Sequence, residues 1–140
     1  MQIDKLKHQH TDILRRVASL RALTHAGVAD NAEAIAQGMI AMSAIVKLHL
    51  AVEDQALYPA LQRGGDAELA RLGRHYQSEM APLAQAYDAF VRRWNTVARL
   101  RSDAAGFRTD ATAVLRQLHA RMQRENLEFY PRIEAQAELV

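Results

Sequence analysis

His49-Leu50-Ala51-Val52-Glu53-Asp54-Gln55-Ala56-Leu57-Tyr58-Pro59 sets an imidazole and a carboxylate four residues apart and closes on an aromatic–proline pair. Residues at i and i+4 share a helical face, so His49 and Glu53 point the same way. Seventy-two residues further on, Arg121-Met122-Gln123-Arg124-Glu125-Asn126-Leu127-Glu128-Phe129-Tyr130-Pro131 repeats the pattern, with Glu, Tyr and Pro in register. Proline lacks the N–H and crowds the carbonyl four residues back, so each copy lies where a helix kinks or stops. Two helix–helix halves related by a pseudo-twofold axis would set the two copies at equivalent depths.

Around these copies the composition is that of a helical protein. The 140 residues include 26 Ala, 6 Gly and 3 Pro, and residues of high helix propensity dominate. Glycine and capping signals divide the chain into four long pieces: Ile3 to Ala26, ending at Gly27; a piece opening on the capping-box pair Asp30 and Glu33 and ending at Gly64-Gly65; one N-capped by Asp66 and running to about Leu100; and one entered through Ser102 to Asp110. Long pieces with short joints fold back on one another, so the expected fold is all-α, an antiparallel up-down four-helix bundle forming a single domain over residues 1–140.

Each piece carries an apolar stripe at spacings of three and four: Ile3, Leu6, His10, Ile13, Val17, Leu20; Ile35, Met39, Met42, Val46, His49, Glu53, Ala56; Leu72, His75 or Tyr76, Glu79, Leu83, Ala86, Phe90; and Phe107, Ala111, Val114, Leu118, Arg121, Glu125, Glu128. All four are interrupted by ionisable residues, and a charge buried without a partner costs several kcal/mol. Residues that meet satisfy one another. Glu53 and His75 each lie about ten residues, roughly 15 Å, from the second joint, so they are level across the bundle. His10 and His49 are level to within about a turn. Three imidazoles and three carboxylates, from His10, His49, His75, Glu53, Glu79 and Glu125, form a donor set suited to a pair of metal ions.

On these residues the chain resembles the hemerythrin-like, HHE cation-binding family. The matching features are His10 with Ile13, the run from His49 through Glu53, Asp54, Leu57, Tyr58 and Pro59, His75, and the second acid-containing run Glu125, Asn126, Phe129, Tyr130, Pro131. The resemblance covers about Leu6 to Arg132. It implies a non-haem di-iron centre held by His and carboxylate ligands, with binding of O2 or NO, or the sensing or handling of iron, as its use. One or two iron ions are expected, with manganese or zinc as alternatives.

The chain departs from the family pattern at Arg121, where the second run should open on a histidine. Arginine stays protonated and has no lone pair to donate to a metal. Glu79 stands where oxygen-carrying members tend to place a further histidine. Two outcomes follow: a metal site of His10, His49, Glu53, His75, Glu79 and Glu125, with Arg121 paired to Glu128 beside it and Tyr58 and Tyr130 near by; or a metal-free helical regulatory module in which the Arg121 guanidinium replaces the metal charge.

Other chemistry lacks support. The absence of Cys removes thiolate sites and disulfides, and phosphate loops, hydrolase triads and zincin motifs are missing. A net charge of +2 with scattered Arg and Lys gives no nucleic-acid footprint. The apolar run Met39 to Val46 is too short to span a bilayer, and no signal peptide opens the chain, so the expectation is a cytoplasmic binding protein rather than a catalyst, able to form a homodimer.

Overall fold

The computed structural model describes residues 3–138, and every regular element among them is helical. Helix α1 (Asp4–Ala26) turns Leu6, His10, Ile13, Val17 and Leu20 inward, as its stripe requires. It ends at Gly27, whose φ of 138° lies where an L side chain is strained, and whose N–H closes the last turn onto Leu23 O. Helix α2 (Ala32–Val52) begins later than the Asp30/Glu33 pattern suggests. Asn31 precedes it and makes no cap, because its side-chain amide donates instead to Gly27 O at 2.8 Å.

At Val52 the helix does not stop. Glu53–Leu57 widens into a π-helical turn, in which the Tyr58 N–H reaches Glu53 O five residues back, and the chain continues as α3 (Tyr58–Arg63). The second copy behaves identically: Glu125–Phe129 is a π-turn closed by the Tyr130 N–H on Glu125 O. Each wide turn sits immediately before a Tyr-Pro pair, where proline cannot donate and an ordinary turn would press its ring on a carbonyl. The extra residue per turn also changes which side chains face inward. Counting by threes from the two acids predicted Ala56 and Glu128 on the inner face; both are exposed, and Leu57, Tyr58, Phe129 and Tyr130 are buried instead.

Helix α4 (Ala67–Trp94) starts on Asp66, whose carboxylate accepts the Leu69 N–H at 3.0 Å. It ends at Trp94 rather than near Leu100, and a separate short helix, α5 (Val97–Ser102), follows on the Thr96 cap. The expected connection from Ser102 to Asp110 is mostly helix: α6 (Ala104–Arg124) opens on Asp103, which accepts the Gly106 N–H at 2.9 Å. A Cβ at position 106 would collide with that carboxylate. Beyond the second wide turn the chain ends in α7 (Tyr130–Glu138).

Helix α1 packs on α2 and α6, and α4 packs on the same two, so the four long helices enclose one interior. Two apolar clusters fill it, one from Ile13, Met39, Val46, Phe90, Phe107 and Leu118, the other from Leu6, Leu57, Tyr76 and Phe129 with their neighbours. His10, His49 and Arg121 fall in sequence between members of the two clusters, which makes them a polar layer between apolar ones. The continuous helix Ala32–Arg63 is long and apolar enough to cross a membrane by length and composition, contrary to the expectation from Met39 to Val46 alone; within the protein its inward face is core.

Replacing Asp66 by Ala removes the only side-chain acceptor on the first turn of α4 and should cost about 1 kcal/mol, read in urea as a lower midpoint with unchanged slope.

Candidate metal site

Four buried side chains from three long helical segments converge between the apolar clusters. His10 comes from the second turn of α1 and His49 from the last turn of α2; Glu53 and Glu125 each open a wide turn. One ligand atom from each lies within 4.8 Å of all the others. His10 Nε2 is 2.9 Å from His49 Nε2 and 3.0 Å from Glu125 Oε1. His49 Nε2 is 3.4 Å from Glu53 Oε1 and 3.7 Å from Glu125 Oε1. The Tyr130 hydroxyl lies 3.0 Å from His10 Nε2 and donates to Glu53 Oε2 at 3.3 Å.

The outer nitrogens determine the inner ones. His10 Nδ1 lies 2.8 Å from Asn126 Oδ1, and His49 Nδ1 lies 2.9 Å from Gln9 Oε1. An amide oxygen only accepts, so each Nδ1 carries a proton, and a neutral ring held this way presents its Nε2 lone pair inward. The two Nε2 atoms face each other at 2.9 Å, beside the carboxylate oxygens. Glu53 Oε1 and Glu125 Oε2 have no hydrogen-bond donor at all. Such a cluster is short of positive charge at its centre, and either protons or a cation must supply it.

The protonation pattern shows how the cluster manages without metal. Burial, reinforced by the neighbouring Glu125, holds the Glu53 carboxyl well above the usual carboxylate range. Burial acts on Glu125 too, but contacts with Glu53, His10 and His49 and the Arg121 charge outweigh it and hold that carboxyl low. Burial pushes His49 below its ordinary value, which keeps it neutral. Of the two carboxyls, Glu53 is thus the one that favours its proton and Glu125 the one that favours its charge, and the Arg121 guanidinium faces Glu125.

Arg121 is 4% exposed and tightly held. Its Nη1 donates to Tyr76 O at 2.9 Å and its Nη2 to the Tyr58 hydroxyl at 2.6 Å. The guanidinium carbon lies 4.7 Å from the centre of the Tyr76 ring, and Nη2 is 3.7 Å from Glu125 Oε2. The expected pairing with Glu128 does not form, because the wide turn carries Glu128 to the surface.

His75 and Glu79 require a correction. Their side chains are 59% and 40% exposed, and they pair with each other at 3.3 Å on the outside of α4. Glu79 also accepts from Arg124 at 2.8 Å, which lowers its carboxyl below the ordinary value. Helix α4 keeps Phe90 inward as expected but elsewhere turns the following position in: Gly73 replaces Leu72, Tyr87 replaces Ala86, and Tyr76, the alternative to His75, fills that level. The depth was right and the direction wrong. Gln9, Asn126 and the ring of Tyr76 are parts of the site that the sequence reading assigned no role; the change from Asp54 to Asn126 between the two copies was the available signal for one of them.

The family model described as the hemerythrin HHE cation binding domain matches residues 1–133, and the chain belongs to that family. No curated protein and no solved structure matches it. The donor set could hold a cation: the neighbouring ligand atoms lie 2.9 to 3.7 Å apart, a spacing compatible with atoms sharing an ion at about 2.1 Å. The unpartnered Glu53 Oε1 is an acceptor such an ion would satisfy.

A group that holds its proton more tightly when folded stabilises the fold most below its unfolded pKa, near 4.5 here, and loses that contribution as pH rises through the raised folded value. Metal-free protein should therefore lose stability relative to Glu53→Gln by about 1.4 kcal/mol per pH unit above 4.5 until Glu53 ionises, measured as paired denaturation curves between pH 4 and 8. Gln9→Leu, which frees the His49 ring, should weaken metal binding about 10- to 100-fold in a competition titration with a chelator.

Proposed function

We propose that this protein binds a single iron ion through His10, His49, Glu53 and Glu125, in the core of an antiparallel four-helix bundle, and uses it to bind a small ligand such as O2 or NO. The observation that carries this reading is the facing pair of imidazole Nε2 atoms, 2.9 Å apart in a buried site where both outer nitrogens are already committed to amide oxygens. Two imidazoles and two carboxylates suit iron in either common oxidation state, and manganese or zinc would accept the same atoms.

An iron ion held there supplies Lewis acidity and coordination positions beyond the four protein atoms. The protein's own part is orientation and exclusion of water. Gln9 and Asn126 fix the imidazoles, the Tyr130 hydroxyl can give its proton to His10 Nε2 or to Glu53 Oε2, and the two apolar clusters keep the layer dry. A cleft of about 500 Å³ between α4 and α6, lined by Pro82, Leu83, Gln117 and the Glu79–Arg124 pair, reaches Arg121 at the edge of this layer. It offers a small molecule a way in.

A second reading has its own observation. With Glu53 protonated, Glu125 and Arg121 cancel, so the polar core is neutral without metal and could hold together a helical interaction module.

Metal analysis separates the two. Protein reconstituted with ferrous iron and freed of excess should retain about one Fe per chain and gain near-ultraviolet charge-transfer absorption, both lost in His49→Ala. Protein that stays metal-free and colourless whatever the iron supply, and is unchanged by His49→Ala, would establish the second reading instead.

A further inference from the structure

We infer that Arg121 is a built-in cation occupying the place of a second metal ion, and that it limits the site to one ion. The inference rests on the proposed metal reading of the cluster and deepens it.

The repeat supplies the first argument. Glu125, Tyr130 and Pro131 correspond to Glu53, Tyr58 and Pro59, and both copies form the same π-turn. In that register Arg121 corresponds to His49. One half of the interior thus brings imidazoles from α1 and α2. The other half, from α4 and α6, brings the Tyr76 ring and a guanidinium, while the His75 imidazole faces outward. A second ion beside the first would have Glu125 as its carboxylate and no nitrogen donor.

Glu125 supplies the second argument, because its two oxygens face different cations. Oε1 is turned to the imidazole pair, at 3.0 Å from His10 Nε2; Oε2 is turned to Arg121 Nη2, at 3.7 Å. A carboxylate that would bridge two metal ions bridges one metal position and one guanidinium here. The guanidinium is held in place: both Nη groups are engaged and the group lies over the Tyr76 ring.

Charge supplies the third. Two buried carboxylates meet one fixed positive charge, which leaves a single negative charge for metal to neutralise. One divalent ion already overshoots it, and a second would leave several uncompensated positive charges in a low-dielectric layer. Removing the fixed charge and supplying a nitrogen at the same position reverses both obstacles.

The test is metal stoichiometry and spin coupling, read on the full chain after anaerobic loading with excess ferrous iron and oxidation. The wild type should hold about one iron per chain, with the paramagnetic resonance of an isolated ferric ion. Arg121→His should roughly double the bound iron and replace that signal with an exchange-coupled, resonance-silent pair, while Arg121→Lys, which keeps the charge, should stay at one. Two ions in the wild type, or one ion in a folded Arg121→His protein, overturns the inference. The wild-type count decides even where a variant fails to fold, and a wild type that binds no metal overturns the metal reading itself rather than the role of Arg121.

Discussion

Two imidazole nitrogens face each other at 2.9 Å in the dry interior of this protein, each with its proton on the far side of its ring. Two nitrogens that close need a proton or a cation between or beside them, and neither ring is exposed to take one from bulk water. The local structure can be understood as what is needed to hold these groups together. Amide oxygens on Gln9 and Asn126 fix the rings from outside, apolar clusters lie to either side, and two carboxylates surround the unmet positive position. A proton on Glu53 is the minimal solution and a metal ion the fuller one.

The two π-turns give that arrangement its shape. An ordinary helix would turn Tyr58 and Tyr130 away from the acids that precede them, whereas a wider turn brings positions four and five onto the acid's own face. Glu53 is therefore buried together with Leu57 and Tyr58, and Glu125 together with Phe129 and Tyr130. Both tyrosines do polar work there: Tyr58 takes a guanidinium N–H and Tyr130 reaches His10 and Glu53. Burial holds both hydroxyls protonated far above their ordinary range.

The interior is also electrically lopsided. Imidazoles from α1 and α2 occupy one side and the Arg121 cation the other, with Glu125 between them. Arg121 thus sets a fixed positive charge beside that carboxylate. The cost of burying a guanidinium is offset by its two hydrogen bonds, the Tyr76 ring and the carboxylate.

Helical spacing by itself determined the helical class, the inward faces of α1, α2 and α6 as far as the acids, and the convergence of four of the six expected site residues, His10, His49, Glu53 and Glu125, because a long apolar stripe leaves little freedom in which residues share a side. The repeat of Glu with Tyr-Pro marked both places where the helices change. Three things had to wait for packing. Neighbouring residues on a helix are separated by about 100°, so choosing between His75 and Tyr76 needed the rotation of α4, which is set by Tyr87, Phe90 and Trp94 against the core. Ala56 and Glu128 were misplaced because spacing rules assume a constant turn, and proline had altered it. The hydrogen-bond partners of Arg121, Tyr58 and Tyr76, come from α3 and α4, residues distant in sequence that only the assembled interior brings within reach of one side chain.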